Sequence, residues 1–193
     1  MTMLRKLAWA EETPAPATTL LEEYDTIYFD LDGTIWDCYF NGGNENGAYL
    51  LVPLLKRASA REVIDIKGNI CVLQDGIIDL LPALVEKDIN LAIVSRSYNS
   101  RWTFAAQPAV MLLKMFDIYK YFTYSVVIKE RIQKSQYIKP KGKTLVIEDD
   151  SAQVDEILSS SLQDVDVLRR QSFDTWHTFL PKQQPVSPLS FLR

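Results

Sequence analysis

Residues 26–34 read Thr26-Ile27-Tyr28-Phe29-Asp30-Leu31-Asp32-Gly33-Thr34 and constrain the fold more than any other stretch of the chain. A short run of strand-forming residues ends in two carboxylates spaced two apart, followed at once by Gly and Thr. Alternation along an extended segment puts Asp30 and Asp32 on one side. Two like charges that close repel by ~4 kcal/mol at an effective dielectric of about 20. A folded chain tolerates them when a cation, a shared proton or diverging side chains relieve the repulsion. The pattern suits a carboxylate nucleophile beside a carboxyl acid/base, with a divalent metal bridging to a phosphate. A strand running into an Asp-Gly turn is the better explanation of a lone D-x-D, so the rest of the chain has to decide.

Further apolar runs follow, and they alternate with helical patterns. Asn90 to Val94 reads as a short buried strand ending at Ser95-Arg96-Ser97. Residues 122–128 form another strand ahead of Lys129, 144–147 one ahead of Glu148-Asp149-Asp150, and 165–168 a last one. Between them, Ile77, Ile78, Leu80, Leu81, Leu84 and Val85 recur at a helical period. Pro108 suits the first turn of a helix running to Met115. Short helices are expected over 129–137, 154–159 and 173–180. Alternating strands and helices predict an α/β fold, a Rossmann-like doubly wound parallel sheet. Ligands bind such sheets at the carboxyl ends of their strands, where all four polar clusters fall.

The chain of 193 residues is long enough for one substantial core. We divide it into a weakly ordered extension over 1–20, a main domain over 21–180 and a tail over 181–193. Within the main domain, residues 37–75 form an insertion. Asn41 to Gly47 reads as a loop, and β-branched runs flanking Lys67-Gly68-Asn69 predict a β-hairpin that serves as a flap or minimal cap. A net charge of −4 argues against nucleic-acid affinity. No apolar run approaches a membrane span, and Glu11 and Glu12 interrupt any signal-like core. Two cysteines, Cys38 and Cys71, make no disulfide framework in a chain this long, so a cytoplasmic location is expected.

With these motifs in order, the chain resembles phosphatases of the haloacid dehalogenase superfamily, over roughly residues 24–168. Within that superfamily it is most similar to the magnesium-dependent type, also described as fructosamine-phosphate or protein-tyrosine phosphatases. Asp32-Gly33-Thr34-Ile35-Trp36, Val94-Ser95-Arg96-Ser97 and residues 115–122 carry the narrower likeness. The resemblance implies hydrolysis of a phosphate monoester through an aspartyl-phosphate. Asp30 would be the nucleophile and Asp32 the acid/base. Mg²⁺ would be held by Asp30, the backbone carbonyl of Asp32, and Asp149. Leu31, Thr34, Ser95, Arg96 and a lysine would serve the phosphate, with Thr34 also steadying Asp32 by a hydrogen bond.

Two points depart from the family pattern. Lys129, Lys134, Lys139, Lys141 and Lys143 all compete for the lysine; Lys129 is preferred because it opens a helix long enough to cross back to residue 145. The other four then read as solvated charges. The acidic cluster is Glu148-Asp149-Asp150 where a pair of aspartates is usual, and Asp149 is common to both possible registers. His177, Cys38, Trp36, Trp102 and Phe104 read as structural. The substrate is a small phosphorylated metabolite or a phosphorylated protein side chain. A phosphotransferase, a phosphonate- or halide-cleaving relative, and a binding module without turnover are the rival readings.

Overall fold

Strands buried on both faces need apolar residues at every position, and the runs that precede the acidic clusters have them. The computed structural model describes residues 6–7, 21–40, 45–48, 51, 54–97, 107–129, 132–170 and 176–179. In chain order the first strands are β1 (Lys6–Leu7), β2 (Thr26–Phe29), β3 (Trp36–Tyr39), β4 (Glu45–Asn46), β5 (Leu55–Arg57), β6 (Glu62–Asp65) and β7 (Ile70–Leu73). Helix α1 (Ile77–Glu86), β8 (Asn90–Ser97), α2 (Pro108–Met115), β9 (Tyr124–Lys129), β10 (Thr144–Glu148), α3 (Ser151–Leu158) and β11 (Val165–Arg169) follow.

Six strands pair in parallel in the order β1-β11-β10-β2-β8-β9. Ile27, Phe29, Leu91, Ile93, Leu145 and Ile147 point into one core with α1 and α2, which continues under the insertion. Tyr28, Ala92, Val94, Val146 and Val167 point the other way, against α3. From β2 the chain steps outward to β8 and β9, then returns to the opposite side of β2 for β10 and β11. The reversal of strand order therefore lies between β2 and β10, the place where open α/β sheets bind ligands.

The insertion is larger than a hairpin. It is a five-stranded antiparallel sheet in the order β4-β3-β7-β6-β5. Trp36 and Cys38 on β3 are buried while Tyr39 is exposed, the alternation of a sheet with one covered face. The stretch expected as an Asn/Gly loop contributes β4, paired through Asn46 to Cys38. The turn between β6 and β7 forms as predicted. Asp65 Oδ1 accepts hydrogen bonds from the Lys67 and Asn69 N–H groups, and Gly68 supplies the positive φ.

Other differences are local. Lys6–Leu7, inside the expected extension, form the edge strand β1 beside β11. Asp150 caps α3 by accepting from the Ala152 N–H at 2.8 Å, so that helix starts earlier than its apolar period indicates. Among the described residues of 129–137 there is no α-helix: β9 runs through Lys129 and residues 134–136 form a 3-10 turn. Another 3-10 turn, Trp176–Phe179, stands where a helix was expected over 173–180. The tail over 181–193, Trp102 and Phe104 lie outside the described residues. Among the described residues no helix is long and apolar enough to cross a membrane.

Candidate active site

Register places the acidic residues side by side. Phe29 on β2 is flanked by Ile93 on β8 and Ile147 on β10, so Asp30, Glu148 and Ser95 lie at the same carboxyl edge, just past that row. The Asp30 N–H donates to the Ile147 carbonyl at 3.0 Å and extends the pairing by one step. Carboxylate oxygens of Asp30, Glu148 and Asp149 all lie within 4.8 Å of one another. Ser95 is buried at that edge; Arg96 is half-buried, and its Nε finds no hydrogen-bond partner.

Among the described side chains, the lysine against this cluster is Lys134. Lys134 Nζ lies 2.5 Å from Asp30 Oδ1 and 2.5 Å from Glu148 Oε2, and its side chain has no exposure to solvent. It is therefore not the solvated charge expected of it. The expectation failed because it required a crossover helix between β9 and β10. One 3-10 turn suffices, and Glu156 on α3 clamps it by accepting from the Lys134 N–H at 3.1 Å and the Ser135 hydroxyl at 2.5 Å. The side chain of Lys129, at the end of β9, is outside the described set. Burial works against the Lys134 charge, but Asp30 and Glu148 outweigh it and hold the ammonium above the ordinary lysine value. Lys139, Lys141 and Lys143 are exposed, as expected.

One ammonium does not balance three carboxylates. Burial, then Asp30, push the Asp149 carboxyl up to about 6. Glu148 is committed, one oxygen to Lys134 and the other to the Asp150 N–H at 3.2 Å. Asp150 faces away as the α3 cap. Of the two registers, Glu148-Asp149 is thus the pair that meets Asp30. Hard oxygen donors in excess of positive charge fit a small divalent cation, with Asp149 and the second oxygen of Asp30 as the uncommitted carboxylate donors.

Asp32 escapes repulsion by turning away. Its Oδ1 accepts from Trp36 Nε1 at 2.7 Å and from the Ala48 N–H at 2.9 Å, both in or beside the insertion. Burial pushes its carboxyl up to about 7, although those two hydrogen bonds favour the ionised form. A carboxylic acid that keeps its proton near neutrality is suited to give it away. Thr34 does not perform its expected task. Its side chain is fully buried and its hydroxyl has no hydrogen-bond partner, so it makes no bond to Asp32. Leu31 is fully buried too, and its carbonyl accepts from the Thr34, Ile35 and Trp36 N–H groups to close the turn.

Gly33 is required twice over. Its φ is +75°, and a Cβ built there would lie 2.2 Å from Asp149 Oδ2. The turn also rests on residues not singled out in the sequence. Buried Arg170 donates through Nη1 to the Gly33 carbonyl and through Nη2 to Gln74 Oε1 at 2.8 Å. Trp176 Nε1 donates to the Thr34 carbonyl at 3.1 Å. An arginine just past the last apolar strand was the only available signal, and it resembled a surface charge.

Residues 24–158 match the family model described as Acid Phosphatase, well over half of the chain. The chain belongs to this acid phosphatase family. The phosphatase is thus a hydrolase acting on phosphate esters, and its substrate carries a phosphoryl group. A comparison with curated proteins gives no match. Among solved structures the phosphatase is similar to a "Putative Phosphatase from Clostridium difficile", with 16% identity, a TM-score of 0.43, 69% of this chain covered and 80% of that one.

Proposed function

We propose that the protein is a phosphatase of the haloacid dehalogenase type that hydrolyses phosphate monoesters, with Mg²⁺, through an aspartyl-phosphate on Asp30. The observation that carries this reading is Lys134 Nζ held between Asp30 and Glu148 at the reversal of strand order. The ion pair with Lys134 fixes the Asp30 carboxylate in place for attack on phosphorus. Asp30 attacks phosphorus, and the bond to the ester oxygen breaks as Asp32 gives that oxygen its proton. Asp32, now ionised, then takes a proton from water as the water attacks the aspartyl-phosphate. Inorganic phosphate leaves and both aspartates are restored.

Asp30, the Asp32 carbonyl and Asp149 would hold Mg²⁺. When bound, the ion supplies positive charge against the phosphoryl oxygens. Ser95 and the Arg96 N–H are assigned to the phosphate, and Lys134 takes the place first given to Lys129. Fixed charges aimed at where charge develops are the main source of rate in phosphoryl transfer. The substrate is a small phosphorylated metabolite or a phosphorylated side chain, admitted past the insertion. The test is turnover of an aryl phosphate. Activity is expected with Mg²⁺, lost in chelator and lost in Asp30→Asn, whose amide neither attacks phosphorus nor binds the ion well. Full turnover in chelator, or by Asp30→Asn, would overturn the mechanism.

A further inference from the structure

Away from the acidic cluster, the described residues hold two buried nucleophiles the chemistry does not use. Cys38 on β3 and Cys71 on β7 are direct cross-strand partners in an antiparallel pair. Opposed residues in such pairs have Cα atoms about 4.5 or 5.5 Å apart, and both values lie inside the range a disulfide requires, roughly 4.4–6.8 Å. The two side chains share the covered face of the insertion sheet, with 2% and 0% exposure. Both cysteines are free, and their sulfurs are in contact at 2.7 Å. The facing residue on the next strand is the apolar Val63.

We propose that Cys38 and Cys71 form a reversible dithiol/disulfide couple, a redox modification site that staples the insertion at its root. β3 is the strand by which the chain leaves the Asp32 turn, and β7 is the strand by which it returns to α1. Two residues before Cys38 lies Trp36, the indole that holds Asp32, paired to Leu73. The crosslink closes a loop over residues 38–71 that contains β4, β5 and β6. It ties together the two strands whose separation would release the flap. A disulfide acts here as a local staple on a preformed pair, unlike the framework of a small secreted domain.

The oxidant is a peroxide. One sulfur attacks a peroxide oxygen, the O–O bond breaks, and a sulfenic acid and water form. The second sulfur then displaces the sulfenic oxygen as a second water, leaving the S–S bond. Two electrons and two protons pass from the thiols to the peroxide. Burial pushes both thiols up, so few thiolates are present and oxidation is slow.

The test uses the full chain, reduced, desalted and incubated with hydrogen peroxide. Denaturation and alkylation should then find no free thiol, against two before treatment. The intact mass should fall by two hydrogens, and a non-reducing digest should join the Cys38 and Cys71 peptides. Closing a loop of this length should raise the melting temperature by several degrees. Dithiothreitol should reverse every change, and Cys71→Ala should show none of them. Two thiols still open to alkylation after prolonged exposure, or a mass gain of oxygen in place of hydrogen loss, would overturn the proposal. If Cys71→Ala does not fold, the thiol count and mass of the unaltered chain decide the matter alone.

Discussion

At the carboxyl edge of the parallel sheet an ammonium and two carboxylates are withdrawn from water, with side-chain exposures of 0%, 8% and 1% for Lys134, Asp30 and Glu148. The insertion does the reverse outside its strands and leaves Leu54, just before β5, and Ile66, in the turn after β6, each 66% exposed. Charges buried like this persist only through one another, so each position is fixed by the rest, and removing one partner costs ~3–5 kcal/mol. An exposed apolar residue carries no such coupling. The contrast separates a coupled buried cluster, which tolerates almost no change, from an exposed rim of the insertion that is free to vary.

The sharpest way to break that contrast is at the joint between the two regions. Gly33→Ala pushes a methyl into Asp149 at a positive φ, and a displacement near 1 Å there should cost about 10²-fold in kcat. Steady-state kinetics on an aryl phosphate, with a melting curve to confirm folding, measures it. A variant at parental rate would show that Asp149 has no fixed place in the chemistry.

Asp32→Asn comes next and sharpens the contrast, because Asp32, the proposed acid/base, is held by Trp36 and the Ala48 N–H on the insertion side. Turnover should fall ~10²–10⁴-fold with the loss of proton transfer. In the unaltered enzyme, turnover on a substrate with a poor leaving group should decline as pH rises through about 7, where the Asp32 carboxyl ionises. That limb should vanish in the variant. Stability falls in the same direction. The folded-state value lies above the ordinary 3.8, so the folded state binds the extra proton between about 4 and about 7. Stability therefore falls as pH rises through that window. Asp32→Asn, relieved of this cost, should melt a few degrees higher at pH 8, by calorimetry.

The smallest effect is expected at the rim. Leu54→Ser and Ile66→Ser should change stability by no more than about 0.5 kcal/mol. They should leave turnover of a small aryl phosphate unchanged, while KM for a bulky phosphoester shifts. A loss on the small substrate comparable to that of Gly33→Ala would erase the distinction between the two regions.

The central strands were legible because burial on both faces writes a continuous apolar run, and Pro108 marked the start of α2 at the right residue. Asp30, Asp32 and Asp149 were legible as candidates because each follows such a run. The insertion was read too simply. Trp36 to Tyr39 alternate over only four residues, too few to signal a strand without the partner that completes it. Lys134 was misread as a solvated charge for a physical reason. Lys134 sits in a 3-10 turn with no period of its own, placed by Glu156 on a helix that follows later in the chain. Arg170 and Trp176 were invisible because their partners, the carbonyls of Gly33 and Thr34, are main-chain atoms that no sequence pattern advertises.

The most direct measurement compares Lys134→Met and Lys129→Met on the same aryl phosphate, each with a melting curve. Removing the buried ammonium leaves Asp30, Glu148 and the incoming phosphate without their shared positive charge. The ~3–5 kcal/mol attached to such a loss corresponds to about 10²- to 10³-fold in kcat/KM. Lys134→Met should lose that much, and Lys129→Met should remain near the parental rate. An active Lys134→Met beside a crippled Lys129→Met would contradict the assignment of the site's positive charge and the catalytic reading built on it.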